Sequence, residues 1–230
     1  MDAEPNSLKA FIFDLDGTLV DSNELHVGSW NEAFRHFGKQ FPHAQLQAQI
    51  GKGSDKYLPE FLSPGEIEHF GKELDEYRST LFQRKYLPLV RPFSRVRALF
   101  EEIRGAGGEI VLATSGKKSE TKHYVDLLEI ADLISGQTTA EDAAESKPEP
   151  DILLAALHKL QGVKPNEALL IGDTRFDMEA AAKGGISAIA VTCGGTPAPV
   201  LRAAGALAVF RDPATLLSER VFLLDWHPTN

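Results

Sequence analysis

The sequence predicts an α/β fold, a doubly wound parallel sheet interrupted by an inserted α-helical domain. Three observations predict it. Short apolar runs rich in β-branched residues alternate with segments of helical period. The runs are apolar at successive positions, as strands covered on both faces by helices must be. Between about Val20 and Pro92 the alternation stops and only helical spacing remains. With 230 residues, 43% of them hydrophobic and 25% charged, the chain is long enough to bury a large core.

Taken in order, the expected strands are Ala10–Phe13, Ile110–Ala113, Leu133–Ile134, Ala168–Ile171, Ala188–Val191 and Leu207–Phe210. Helical patterns cover Ser94–Arg104, Ser119–Leu128, Pro150–Leu160 and Phe176–Lys183. In the intervening region Trp30, Ala33, Phe34 and Phe37, and later Leu74, Tyr77 and Leu81, recur at helical spacing with no convincing strand. Turn signals at Gly51–Ser54 and Ser63–Pro64–Gly65 separate its helices. Leu87–Pro88 and Arg91–Pro92 mark the return to the sheet. The expected domains are therefore a core of residues 1–19, a helical cap of 20–93 and the rest of the core, 94–230. Because the cap follows the first strand, and ligands in open α/β sheets bind beyond the carboxyl ends of strands, it is placed to act as a lid.

Composition excludes several classes. The 24 basic and 33 acidic residues leave a net charge of −9, unlike the positive surface that sequence-independent binding to nucleic acid needs. Cys193 is the single cysteine, so neither an intrachain disulfide nor a thiolate metal cage is available. Residues Met1 to Ala10 carry no apolar signal core and no run approaches membrane-spanning length, so a cytoplasmic protein without membrane contact is expected. No repeat of solenoid period is present.

Three apolar runs end alike, at Asp14, at Thr114 and at Gly172–Asp173, so polar groups converge on one sheet edge. Ser146–Lys147–Pro148–Glu149–Pro150 precedes a helix and can bring an ammonium to the same rim. Carboxylates, a hydroxyl and a lysine together suit a magnesium-phosphate site, because Mg²⁺ takes one or two carboxylates plus phosphate oxygens.

The motifs stand as Asp14–Leu15–Asp16–Gly17–Thr18–Leu19–Val20, Leu112–Ala113–Thr114–Ser115, Lys147–Pro148 and Gly172–Asp173–Thr174–Arg175–Phe176–Asp177. With these four in order the chain resembles the haloacid dehalogenase-like superfamily of phosphohydrolases, in the helical-cap branch that contains phosphoglycolate phosphatases and β-phosphoglucomutase-like enzymes. The resemblance covers nearly the whole chain and implies a Rossmann-like core. It implies Asp14 as the nucleophile that forms an aspartyl-phosphate, and Asp16 as the acid and base that also offers its backbone carbonyl to the metal. Asp14, Asp16 and Asp173 are then the Mg²⁺ ligands, with Asp177 orienting metal waters behind them. Thr114, the Ser115 amide and Lys147 hold phosphoryl oxygens, and Thr18 joins the substrate-binding set. His26 falls where sugar phosphomutases and several phosphatases carry a cap histidine coupled to the acid/base. In the cap loop, Lys52 is placed to meet a second anionic group. Ser54 stands where β-phosphoglucomutase-like enzymes carry an arginine, and Arg78 lies near their cap lysine.

Each residue alone has a plainer reading. Asp16–Gly17 suits a hairpin turn, Lys147 a solvated surface, Asp173 or Asp177 a helix start, Thr114 a strand end, and His26 a helix surface. A calcium loop fails, since counting from Asp14 puts Leu19 and Leu25 where Gly and Glu are required. No G-x-x-x-x-G-K-[ST], H-E-x-x-H or G-x-G-x-x-G stands in the chain. A cysteine phosphatase wants Arg six residues past its nucleophile, where Pro199 follows Cys193. His36, His43, His69, His123, His158 and His227 show no ligand-like grouping.

The expected function is Mg²⁺-dependent hydrolysis of a small phosphorylated metabolite such as phosphoglycolate or a sugar phosphate, by a monomer or homodimer. A sugar phosphomutase is the rival enzyme, and a phosphate-binding regulatory module without turnover is the rival of another class. Asp16 separates all three from metal-independent dehalogenases, which lack that second aspartate.

Overall fold

The computed structural model describes residues 8–219. His227 and the N-terminal residues read as lacking a signal core, up to Ser7, lie outside this range. Six strands form one parallel sheet in the order β5-β4-β1-β6-β7-β8. They are β1 (Ala10–Phe13), β4 (Glu109–Ala113), β5 (Gly136–Thr138), β6 (Ala168–Gly172), β7 (Ser187–Val191) and β8 (Val209–Phe210). Side-chain alternation divides the core into two layers. Phe11 and Phe13, Ile110 and Leu112, Leu169 and Ile171 face helices α6 (Val96–Gly105), α7 (Lys118–Leu128) and α11 (Pro213–Ser218). Ala10 and Ile12, Val111 and Ala113, Ala168 and Leu170 face α8 (Asp151–His158), α9 (Arg175–Gly184) and α10 (Ala198–Ala203). With both faces covered, the α/β doubly wound architecture is as expected.

Two elements differ from the expectation. The strand read at Leu133–Ile134 forms three residues later, where Gly136, Gln137 and Thr138 pair with Val111, Leu112 and Ala113. Leu133 and Ile134 instead pack sideways on the core, and Leu133 closes a turn onto the Ile130 carbonyl. A polar strand is tolerated at this edge because Thr138 donates its hydroxyl to the Leu112 and Ile152 carbonyls. Likewise the region read as free of strands is bounded by an antiparallel ribbon, β2 (Val20–Asp21) against β3 (Arg91–Pro92). Two-residue strands are too short to show a period in sequence.

Between those ribbon strands the chain is helical: α1 (Asn23–His36), α2 (His43–Gln47), α3 (Ser54–Tyr57), α4 (Pro64–Glu66) and α5 (Lys72–Leu81), with π-helical turns at Ile67–Gly71 and Phe82–Tyr86. These elements bury a separate cluster containing Trp30, Ala33, Phe34, Leu46, Tyr57 and Leu74. Tyr57 stacks on Trp30 with ring centroids 4.5 Å apart and donates its hydroxyl to the Leu46 carbonyl at 3.1 Å. That pairing fixes the loop before α3, the segment lying over the carboxyl end of the sheet. Phe37 and Tyr77 sit at the cluster's margin, where Tyr77 stacks on His36. Among the described residues no helix is long and apolar enough to cross a membrane.

Candidate active site

Parallel pairing on both sides brings β1, β4 and β6 to a common edge, and their last residues carry the polar groups. The Asp14 amide donates to the Ile171 carbonyl at 3.0 Å, so the chain is held in the ladder up to the carboxylate itself. Lys147, on the loop before α8, is 1% exposed. Its ammonium donates to Asp14 Oδ1 at 2.6 Å and to the Ala113 carbonyl at 3.1 Å, and lies 2.7 Å from Asp177 Oδ1. Asp173, fully buried at the end of β6, accepts from Thr18 at 3.1 Å and from the Asn23 amide at 2.8 Å. Asn23 also donates to the Gly194 carbonyl at 2.8 Å.

Backbone without side chains makes room for this carboxylate. A Cβ on Gly194 would lie 1.7 Å from Asp173 Oδ2, and one on Gly17 would lie 2.3 Å from the same atom. Gly17 in addition holds φ at +75°, in the left-handed region.

Asp14, Asp173 and Asp177 each offer a carboxylate oxygen within 4.8 Å of the others. Their mutual repulsion is strong away from water. Burial pushes the Asp14 carboxyl up, the Lys147 charge opposes this, and Asp177 and Asp16 push it up again, to about 7. Asp173 is raised well above the carboxylate range by burial and then by Asp14 and Asp177. Burial opposes the charge on Lys147, but its two carboxylate partners raise its pKa on balance. One ammonium shared between two acids therefore stays charged without fully relieving either. Asp177 Oδ1, despite the nearby ammonium, takes no aligned hydrogen bond. A buried all-carboxylate set with a repulsion to relieve fits a hard, oxygen-binding cation.

Asp16 stands apart from that cluster. Its Oδ1 accepts from Ser22 at 2.7 Å, from His26 Nε2 at 2.8 Å and from the Tyr124 hydroxyl at 2.9 Å. Arg78 donates to His26 Nδ1, which puts the imidazole proton on Nε2 and directs it at Asp16. Phe82 stacks flat on the His26 ring, with centroids 4.1 Å apart. Burial would raise the Asp16 carboxyl, but the His26 ring and the hydrogen bonds from His26, Ser22 and Tyr124 outweigh it and hold the group at about 2. Among the described residues no hydrogen bond reaches Asp16 Oδ2.

Asp14 and Asp16 open into a cavity of about 280 Å³. Thr114, Ser115, Lys52 and Ser54 line it, as do Arg78 and Glu120. The Thr114 hydroxyl accepts from the Gly116 amide at 2.9 Å, leaving its proton free to donate. The Ser115 hydroxyl is buried without a partner. The loop that carries Lys52 and Ser54 is docked on the sheet domain, since the Gly53 amide donates to Ser146 Oγ at 3.0 Å and the Ser146 amide to Asp55 at 3.1 Å.

Several expected residues sit elsewhere than their assigned place. Thr18, expected at the substrate, is fully buried and donates its hydroxyl to Asp173 and Asp14, because the turn at Gly17 folds it beneath the carboxylates. Lys52 reaches the cavity, but its ammonium is paired with Glu60 at 2.7 Å and lies 4.8 Å over the Phe176 ring. Asp177 contributes an oxygen to the carboxylate cluster itself and also caps α9, where its other oxygen accepts from the Thr174 amide and hydroxyl. Ser22, Asn23, Glu120 and Tyr124 were not legible as site residues. Glu120 and Tyr124 lie one helical turn apart on α7, a spacing that becomes informative only once that helix is known to border Asp16. Cys193 is partly buried with its thiol pushed up by burial.

A family model for haloacid dehalogenase-like hydrolases matches residues 11–191. The chain is 29% identical to pyrophosphatase PpaX of Bacillus velezensis over 76% of its own length and 79% of the relative's. It is 26% identical to phosphoglycolate phosphatase of Nitrosospira multiformis, covering 83% and 86% of the two chains. Among solved structures, a hydrolase from Pseudomonas syringae superposes with a TM-score of 0.82 at 28% identity, covering 92% of this chain and 97% of that one.

Proposed function

The chain belongs to the haloacid dehalogenase-like hydrolase family, and from that premise we propose that it is a magnesium-dependent phosphomonoester hydrolase working through an aspartyl-phosphate on Asp14. One observation carries the reading: the Asp14 carboxylate belongs both to the buried carboxylate cluster and to the floor of a cavity of metabolite size. One relative named a phosphoglycolate phosphatase and one named a pyrophosphatase support hydrolysis at phosphorus.

Asp14 and Asp173, with Asp177 beside them, would hold the Mg²⁺, whose charge offsets repulsion between the nucleophile and the phosphoryl oxygens. Asp14 attacks phosphorus through a carboxylate oxygen, whose ionisation, opposed by burial in the bare site, the bound cation would favour. Lys147 holds the other side of that carboxylate and neutralises charge at the phosphoryl group, and the free Thr114 proton and Ser115 amide bind phosphoryl oxygens. The ester bond breaks and the leaving oxygen takes a proton through Asp16. His26, Ser22 and Tyr124 hold that carboxylate ionised at rest, and it takes up the proton on Oδ2 when the anionic phosphoryl group binds beside it. Asp16 then accepts a proton from the water that attacks the acyl phosphate, releasing inorganic phosphate and restoring the Asp14 carboxylate. Three donors on Oδ1 support Oδ2 as the oxygen that handles both protons.

The test is a panel of small phosphomonoesters with Mg²⁺ or with EDTA, scoring inorganic phosphate and isomerised sugar phosphates together. Phosphate release that needs Mg²⁺, with acid-stable phosphate trapped on wild type and absent from Asp14→Asn, is the expected result. Isomers without phosphate would establish a mutase instead, and binding without turnover a regulatory module.

A further inference from the structure

Glu120 is a buried acid to which the mechanism above assigns nothing. It is 1% exposed, and neither of its carboxylate oxygens has a hydrogen-bond partner. It lines the cavity. Its place there can be fixed from Gly116: a Cβ on that residue would lie 3.1 Å from Thr114 Oγ1, 3.3 Å from Glu120 Oε2 and 3.6 Å from Asp16 Oδ2. Glu120 thus shares a corner of the cavity with the oxygen that handles the leaving-group proton. The nearest cation is Arg78, with Nη1 4.0 Å from Glu120 Oε1, beyond hydrogen-bond reach. Arg78 directs Nε to Ser29 and Nη2 to His26, and its guanidinium lies 4.9 Å from the ring centroids of both Trp30 and Phe82.

The cations around the cavity tell the complementary half. Lys52 is paired with Glu60 at 2.7 Å, Lys117 with Asp75 at 3.4 Å, and Arg78 faces Glu120. Among the described residues, then, both lysines of the cavity lining are paired with carboxylates and the charge of Arg78 faces that of Glu120, whereas both Glu120 oxygens still wait for a hydrogen-bond donor. A buried carboxylate left without donors is costly, and water that occupies its place is displaced without loss only by a ligand that donates in its stead.

Resting on the hydrolase reading above, we infer that Glu120 selects the substrate: it accepts a hydrogen bond from a donor on the leaving alcohol, close to the ester oxygen, so that monophosphates whose alcohol bears a hydroxyl or ammonium donor are preferred over phosphate esters bearing a second anion. A hydroxyl and an ammonium offer the same donor chemistry, and the substrates chosen for the test separate them. A carboxylate placed there meets Glu120 as a like charge in a poorly solvated corner.

The experiment measures kcat/KM with Mg²⁺ for glycerol 3-phosphate, phosphoethanolamine, phosphoglycolate, pyrophosphate and propyl phosphate, on wild type and on Glu120→Gln, with thermal melts to verify folding. Expected are a preference of tenfold or more for a donor-bearing ester over phosphoglycolate and over propyl phosphate, and a fall of that ratio toward one in Glu120→Gln, which replaces one acceptor oxygen by a donor. The higher of the glycerol and ethanolamine esters identifies hydroxyl or ammonium. Phosphate release fastest from phosphoglycolate or pyrophosphate overturns the substrate class and leaves the hydrolase reading standing. An equal loss on every ester in Glu120→Gln overturns it too, because Glu120 is then only the counter-charge of Arg78. No phosphate release from any ester overturns both readings.

Discussion

At Lys147 one ammonium, 1% exposed, serves two carboxylates at 2.6 and 2.7 Å. Replacing it by Met leaves Asp14 and Asp177 buried without their counter-charge. Removing one partner of a buried pair costs about 3–5 kcal/mol. Lys147→Met is therefore expected to lose stability on that order in urea denaturation, and to slow phosphate release by ~10²–10³-fold through the lost contact with the phosphoryl group. The sign at Asp14 is the reverse of the usual carboxylate. Its folded pKa of about 7 stands above the ordinary 3.8, so the folded protein holds that proton more tightly than the unfolded chain does. In EDTA, its contribution to stability is lost as pH rises from about 4 to about 7. Denaturation midpoints of wild type across that window should fall relative to Asp14→Asn, and adding Mg²⁺ should remove the difference. Asp14 was legible because β1, β4 and β6 end in polar groups at the same edge, and Lys147 because it precedes a helix that starts at that rim. Ser22, Asn23, Glu120 and Tyr124 were not, since none belongs to a spaced motif and their places follow only from how the start of α1 and helix α7 pack against the sheet edge.

Helix α9 illustrates how an element can serve fold and site together. Thr174 caps it, accepting from the Asp177 amide at 3.2 Å while Asp177 reaches back to the Thr174 amide and hydroxyl. The cap orients Asp177 so that its second oxygen points to Lys147. Thr174→Ala is expected to cost about 1 kcal/mol of stability, read from the urea midpoint, and to weaken Mg²⁺ binding in a titration followed by thermal shift, since the carboxylate loses one of its two fixed donors. In sequence, Asp177 admitted two readings, a helix-start carboxylate and a neighbour of the metal, and the geometry makes room for both. The displaced strand at Gly136–Thr138 carries a complementary lesson. Apolar character marks what is buried, but a ladder forms wherever backbone groups meet in register, and at a short edge strand side-chain hydrogen bonds from Thr138 outweigh the apolar preference of Leu133 and Ile134.

Over the whole molecule, the helical region and the sheet meet along a seam that is largely polar near the cavity mouth. Gly53 with Ser146, Asp55 with the Ser146 amide, and the Lys56–Glu145 ion pair close it. Farther in, Phe82 and Tyr86 of the helical region pack against the sheet-side core, so it is the contacts at the mouth that are individually weak and can yield to admit substrate. Asp55→Ala removes one of them. It is expected to raise KM several-fold with a smaller change in kcat, because the closed form is less populated before substrate binds, and steady-state kinetics on the preferred ester checks this. The two-layered sheet and the purely helical region were both readable from periodicity. The seam was not, because it is built from loop residues whose partners are set by how two separately folded cores dock.

The ribbon of Val20–Asp21 against Arg91–Pro92 carries a broader consequence. Both crossings of the chain between the helical region and the sheet run side by side through it, so the intervening stretch behaves like a cartridge on a single mount. The groups we assign to breaking the phosphorus–oxygen bond all lie on the sheet side of that mount, while Lys52, Ser54 and Arg78 lie on the other. Evolution can thus exchange what is recognised, by replacing the cartridge, without retuning the bond-breaking machinery. Glu120 is the exception, a selector rooted in the permanent frame, which would keep its demand on the leaving group through any such exchange.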